Sequence, residues 1–377
     1  MNISLRFARA VVALAPAVAL IASQLWPGTA LPLPLFSRSQ QVACEACHTP
    51  APELNAAGRA FLQSGYRTLE GDAERRTGEI PIGVVGNVGV ESTPRPLTHP
   101  IGMHEFMQDR GEPAAAIEVH GAGTVARDVS YHLQVNRDED HPNFETKSAY
   151  AQVNDLAGTG INVKTGLSQS ELVFLSNERR MTLHPYLSPI TLEARGFELN
   201  GGAGPWGLAA GMTTSGRDRL EDSYLSFRGG AGTNLVAGRM LFDRQDSNIS
   251  FHAWLQHLQA VVGGEFSADR TVATLGYVFD RFDDRPAAGI HQHNEYFLLD
   301  VYRPLDPAER WWVSARYEHE YRTPTVLTRE EDHQLGVLDV RREVNANAKV
   351  GVEVARTGDN VSGPRTSTLS AYVDVAF

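Results

Sequence analysis

Residues 368–377 read Thr-Leu-Ser-Ala-Tyr-Val-Asp-Val-Ala-Phe. Leu369, Ala371, Val373, Val375 and Phe377 fall on one face of an extended chain, and Thr368, Ser370, Tyr372 and Asp374 on the other. Side chains alternate across a strand, so this period of two predicts a strand with one apolar and one polar face. The pattern recurs upstream. Ile117, Val119, Gly121 and Val125 alternate with Glu118, His120 and Thr124; Val129, Tyr131, Leu133 and Val135 alternate with Ser130, His132, Gln134 and Asn136. Ala273, Leu275, Tyr277 and Phe279, and then Val350, Val352 and Val354, repeat it. One such face suits lipid and the other a wet lumen, although a soluble sandwich also alternates.

The connections separate these alternatives. About sixteen strands of roughly ten residues can be counted, the length that crosses a bilayer when tilted. Short connections at 127–128, 158–160, 200–204, 229–233 and 345–347 alternate with long ones at 93–113, 138–146, 173–186, 281–293, 322–332 and 356–365. Short turns on one side and long loops on the other mark outer-membrane barrels, and a sandwich has no reason to show this asymmetry. A last strand closing on Phe377 also resembles the assembly signal of such barrels. The predicted fold is therefore all-β: a transmembrane antiparallel barrel over residues 79–377, with every long loop outside. Trp206, Trp254, Trp311, Trp312, Tyr317 and Tyr321 lie near strand ends, where they form either interfacial girdles or core.

Ahead of the barrel lie two other segments. Arg6 and Arg9 precede a nearly all-apolar run over residues 11–25, and Gly28, Thr29 and Ala30 offer a cleavage site. Residues 1–30 thus read as an export signal, broken by Pro16 and too short for a membrane anchor. Residues 31–78 hold Cys44-Glu45-Ala46-Cys47-His48, the C-x-x-C-H pattern of covalent c-type haem attachment. The chain has 2 cysteines, both in this motif. Two thiols add to the haem vinyl groups and His48 ligates the iron. A zinc site would need further ligands, and none follow before His99. Export agrees with this, since bacteria attach haem c after secretion. A short helix is predicted over 52–64, closed by Gly65, with Leu54, Ala57, Phe61 and Leu62 on one face against the haem edge or an ordinary core.

A net charge of −11 argues against nucleic acid as a partner. No nucleophile triad, phosphate loop or HExxH site is present, and Gly201-Gly202-Ala203-Gly204 reads as a turn.

One haem motif followed by a barrel resembles the fused monohaem cytochrome c–porin family of outer-membrane electron-transfer proteins, whose known members oxidise extracellular ferrous iron. The resemblance is tightest in Phe36-Ser37-Arg38, Cys44 to His48, Pro52-Glu53-Leu54, Gly58, Phe61 and Gly65-Tyr66, with a looser echo at Arg179-Arg180-Met181-Thr182-Leu183-His184-Pro185-Tyr186. It implies a haem c segment that plugs or enters the pore from the periplasmic side of the bacterial outer membrane. Its implied partners are outer-membrane lipid, periplasmic electron-carrier cytochromes and an extracellular electron donor or acceptor.

The distal iron ligand is not evident, because no His or Met lies between His48 and residue 98. His120 and His132, on predicted lumen faces, are the first candidates; Met103 and His104 come next. Three clusters pair acids with imidazoles: Asp138-Glu139-Asp140-His141, Asp283-Asp284 with His291 and His293, and Glu330-Glu331-Asp332-His333. They suit a divalent cation or ordinary solvated loop charge. The predicted function is an electron conduit across the outer membrane, acting as a metal oxidase or reductase if Fe(II) is the partner. The alternatives are a transport porin with a redox-sensitive haem plug, and a periplasmic cytochrome fused to a β-rich binding domain.

Overall fold

The computed structural model describes residues 42, 46–48, 54–67, 82–92, 113–126, 128–137, 143–168, 181–184, 186–187, 194–203, 206–214, 222–231, 234–243, 257–285, 290–323, 331–345, 348–359 and 366–376. The export signal, Cys44, Met103, His104, Trp254, the 138–141 cluster and Phe377 lie outside them.

Sixteen strands close into one antiparallel barrel. They are β1 (Ile82–Ser92), β2 (Pro113–Ala126), β3 (Val129–Arg137), β4 (Glu145–Val153), β5 (Ile161–Ser168), β6 (Ala194–Ala203), β7 (Trp206–Thr214) and β8 (Asp222–Ala231). Then follow β9 (Asn234–Asp243), β10 (His257–Ala268), β11 (Thr271–Arg285), β12 (Ile290–Pro304), β13 (Trp311–Arg322), β14 (Glu331–Asn345), β15 (Ala348–Asp359) and β16 (Thr366–Ala376). Each strand pairs with its sequence neighbours, and β1 closes the ring on β16 from Val85↔Ala376 to Ser92↔Leu369. Closure removes the sheet edges, so every strand finds hydrogen-bond partners without water.

The predicted alternation holds. On β7 every second residue is buried, and Leu208 on the outer face is 61% exposed. Leu225, Leu338, Val352 and Val354 are also outward and exposed. Large apolar side chains facing outward all round a barrel need lipid to cover them. No helix among the described residues is long and apolar enough to cross a membrane. Trp206 and Trp311 begin β7 and β13 and face outward, as girdle residues do, whereas Trp312 faces the lumen and is buried with Met181, Val272 and Tyr302.

Three connections depart from expectation. The long connection predicted at 281–293 is mostly strand, because β11 runs to Arg285 and β12 starts at Ile290. The one predicted at 173–186 does not lie wholly outside: its residues 181–184 and 186, with Leu187, meet side chains of the lumen wall. The turn predicted at 200–204 falls later, since Asn200 is still paired with Ala209.

The predicted helix is α1 (Ala56–Gln63). The Asn55 side chain caps it by accepting from the Gly58 N–H at 3.0 Å. Gly65 ends it at φ +68°, the left-handed conformation of a helix C-terminus. Its buried face differs from the predicted one: Ala57 is exposed while Gly58 and Arg59 are buried. Phe61 and Leu62 pack on Tyr66 and on Ala122 of β2, which is barrel wall.

Candidate functional site

The lumen is filled from two sides. One filling is a plug made of residues 46–48 and 54–67. Cys47 and His48 sit on the first turn of α1. The Asn55 N–H donates to the Cys47 carbonyl at 2.9 Å, and His48 bridges Leu54. Gly58 is required here because a Cβ would collide with the Cys47 carbonyl oxygen. Burial pushes the Cys47 thiol above its ordinary pKa.

The plug is fastened to the wall near the short-turn end. Arg59 Nη1 donates to Glu265 Oε1 of β10 at 3.0 Å, with both side chains about nine-tenths buried. The Gln63 carbonyl accepts from Gln152 Nε2 of β4 and Asn162 Nδ2 of β5. These barrel amides replace the missing intrahelical donors at the helix end. Gly65 packs on the side chains of Ser130 and Asn154, where any Cβ would collide. Tyr66, 2% exposed, shares a hydrogen bond of 2.8 Å with the Tyr150 hydroxyl. Arg67 meets Asp128 in the β2–β3 turn at 3.3 Å.

His120 and His132 both face the lumen as predicted, and the structure brings them together. Their ring centroids lie 6.2 Å apart, and His132 lies 6.0 Å from the Tyr66 ring and 5.4 Å from Tyr150. His132 Nδ1 lies 2.9 Å from the Ser148 hydroxyl and His120 Nε2 lies 3.1 Å from Glu118 Oε2. The cluster therefore joins the plug to the wall at Tyr66, the far end of α1 from His48.

The second filling is a strap, residues 181–184 and 186–187, from a connection that sequence reasoning placed outside. It is tied down through its backbone. The Leu183 and His184 N–H groups donate to the two oxygens of Glu353 on β15, at 2.5 and 2.8 Å. The Leu187 N–H donates to Glu318 on β13 at 2.6 Å, and Arg316 Nη2 donates to the His184 carbonyl at 2.6 Å. The Arg316 guanidinium also lies 4.8 Å from the centre of the Tyr186 ring, and its Nε is 2.8 Å from Glu318 Oε1. The Arg341 guanidinium donates to the Met181 carbonyl. Buried peptide groups need partners, and carboxylates on the wall are strong acceptors for them. A missed signal was available in sequence: Glu318, Glu353 and Arg316 all alternate onto the lumen face, where a lone charge needs a counterpart.

Of the acid–imidazole clusters, the side chains of Asp283, Asp284 and His291, and Glu330, lie outside the described residues, and the described members of the last cluster do not converge. His319 Nε2 lies 2.8 Å from Asp332 on the outer face, whereas Glu331 on the lumen face meets Arg322 at 3.4 Å and His333 at 3.4 Å. Among the described residues no group of three or more His, Cys, Asp or Glu side chains is placed to hold a metal ion.

The fold and the filled lumen define a sixteen-stranded porin-type barrel. Solved structures agree on the fold. An anion-selective porin from Comamonas acidovorans superposes with a TM-score of 0.58 at 7% identity, covering 79% of this chain and 99% of that one. The outer membrane channel DcaP of Acinetobacter baumannii gives 0.57 at 12% identity, covering 81% and 99%. A loop-deletion mutant of OmpT, an outer membrane protein of Vibrio cholerae, gives 0.56 at 12%, covering 80% and 100%. No family model matches the chain, and no curated protein matches it in sequence.

The plug residues suit a haem c. Cys47 and His48 are adjacent on a turn with half-buried side chains, and Cys44 lies one turn ahead in sequence. Two thiols three residues apart followed by an imidazole is the donor set that the group requires.

Proposed function

We propose that this chain is an outer-membrane electron conduit, with a haem c segment seated in the periplasmic mouth of a porin-type barrel. The observation that carries the reading is that Cys47 and His48 of the C-x-x-C-H pattern lie against the start of a helix docked inside the lumen by the buried Arg59–Glu265 pair. Cys44 and Cys47 would hold the haem and His48 would ligate its iron. When bound, a haem c supplies a one-electron Fe(III)/Fe(II) couple.

The chain's own residues supply position. A hydrocarbon layer about 30 Å thick separates an external donor from the periplasm, too far for a carrier confined to either side. The plug holds its donor set within the barrel, where the wall replaces lipid. Lys164, Glu198, Glu318 and Glu353 face the lumen yet are each at most 2% exposed. An open water channel would leave such charges wet, so the filling favours electron over solute passage. His132 and His120 are the described lumen imidazoles next to the plug, and His132 touches it through Tyr66. Their place at Tyr66, the far end of α1 from His48, does not favour them as the distal ligand. The external donor or acceptor, with Fe(II) among the choices, and periplasmic cytochromes are the partners of this reading.

A transport barrel with a redox-sensitive plug is the second reading, favoured by the porin-type fold. The test is a haem stain of fractionated membranes, run with and without heating. A haem-positive outer-membrane band with heat-dependent mobility is expected; a folded barrel without haem would end the conduit reading. Solute flux that changes with redox state would favour the second.

A further inference from the structure

A positive group on the lumen wall is left without a use by the plug and the strap. Arg228 lies on β8, on the lumen face with Tyr224 and Ser226, and its Nε is buried with no hydrogen-bond partner. In register with it on the neighbouring strands are Gly207, Ala237, Gly263 and Gly276. The wall beside the guanidinium is thus nearly bare backbone.

Across from it stands a second guanidinium. Glu265, the partner of Arg59, is in register with Leu235, which is in register with Gly230, two residues from Arg228 on the same face. Arg59 takes Glu265, and its charge repels Arg228. A buried guanidinium nitrogen beside a like charge is costly unless an anion meets it. The helix that carries Arg59 also carries the Cys47–His48 turn, with Gly58 against the Cys47 carbonyl next to Arg59 in sequence.

Resting on the haem reading, we propose that Arg228, with Arg59 beside it, binds the propionate carboxylates of the haem tethered at Cys44 and Cys47. A guanidinium offers a planar fork that fits a carboxylate with two parallel hydrogen bonds. Arg228 is a positioning residue here: it fixes the in-plane rotation of the group and places positive charge near the iron. That charge favours the reduced form, so its removal should lower the reduction potential.

The full-length protein, its Arg228→Gln variant and its Arg228→Lys variant would be purified from outer membranes and checked for heat-dependent mobility and covalent haem. The measurements are the midpoint potential, the propionate bending band in resonance Raman spectra, and chloride conductance in planar bilayers. In folded, haem-loaded R228Q a fall in potential together with a moved propionate band is expected, and R228K should recover much of the potential. An R228Q protein that keeps both values overturns the inference while leaving the haem reading intact. A change confined to chloride conductance overturns it too, by assigning the arginine to a passing anion. A wild-type barrel without haem overturns both readings. Should R228Q not assemble, R228K keeps the charge but not the fork: its propionate band should move, and an unmoved band overturns the inference.

Discussion

The plug and the strap fill the same lumen by different means. The plug is held by side chains: Arg59 on Glu265, Tyr66 on Tyr150, and two wall amides on one carbonyl. The strap is held by its own peptide groups, three N–H donors on two wall carboxylates. A segment tied through its backbone depends little on its own side chains and much on the wall. A segment tied through side chains depends on both. The strap's anchors also sit among charges of both signs, so removing one strands another.

The largest break is expected at Glu318. Glu318→Ala removes the acceptor for the Leu187 N–H and the Tyr296 hydroxyl and leaves Arg316, fully buried, without its carboxylate. Loss of one partner of such a pair costs roughly 3–5 kcal/mol. The variant should unfold at lower denaturant on heat-modifiability gels, and its single-channel conductance should rise as the strap leaves the wall. Unchanged conductance would show that the strap does not narrow the lumen.

Arg59→Ala comes next. It strands Glu265, but that site lies nearer the lumen end than the Glu318 site does, and water can follow; about 2–3 kcal/mol is expected. The effect should be confined to the plug, seen as faster proteolysis between residues 48 and 82 with the barrel's mobility unchanged. A general loss of barrel stability would contradict the separation of the two fillings.

Glu353→Gln sharpens the comparison, because the amide keeps one acceptor oxygen for Leu183 or His184 while losing charge. About 1–2 kcal/mol is expected, measured by the same unfolding assay; a loss as large as that of Glu318→Ala would mean that charge rather than hydrogen bonding holds the strap. Tyr66→Phe removes only the hydroxyl bonded to Tyr150 and should cost about 1 kcal/mol. Amide exchange of α1 would report it, and no change in exchange would place the plug's hold entirely at Arg59.

Much of the fold was legible because it is local. The period of two in β2, β3, β11, β15 and β16 assigned outer and inner faces correctly, and Gly65 closed α1 where the sequence predicted. Strand ends were less legible, as at residues 281–293, because hairpins of this barrel run past the apolar band and polar strand looks like loop. The reading of α1 failed at Arg59. A rule that buries apolar residues passes over a guanidinium whose carboxylate is 206 residues away. The strap failed for the same reason: Arg179, Arg180, His184 and Pro185 compose a surface loop in any local window.

The sequence by itself determined the alternation, about sixteen strands and the C-x-x-C-H pattern, since these depend on neighbours one to four residues apart. Only the tertiary structure decided which charges meet. Leu187 finds Glu318 across 131 positions and Leu183 finds Glu353 across 170. Those distances collapse only when the sheet closes, because closure turns the polar faces of distant strands toward one another inside a space that water largely leaves.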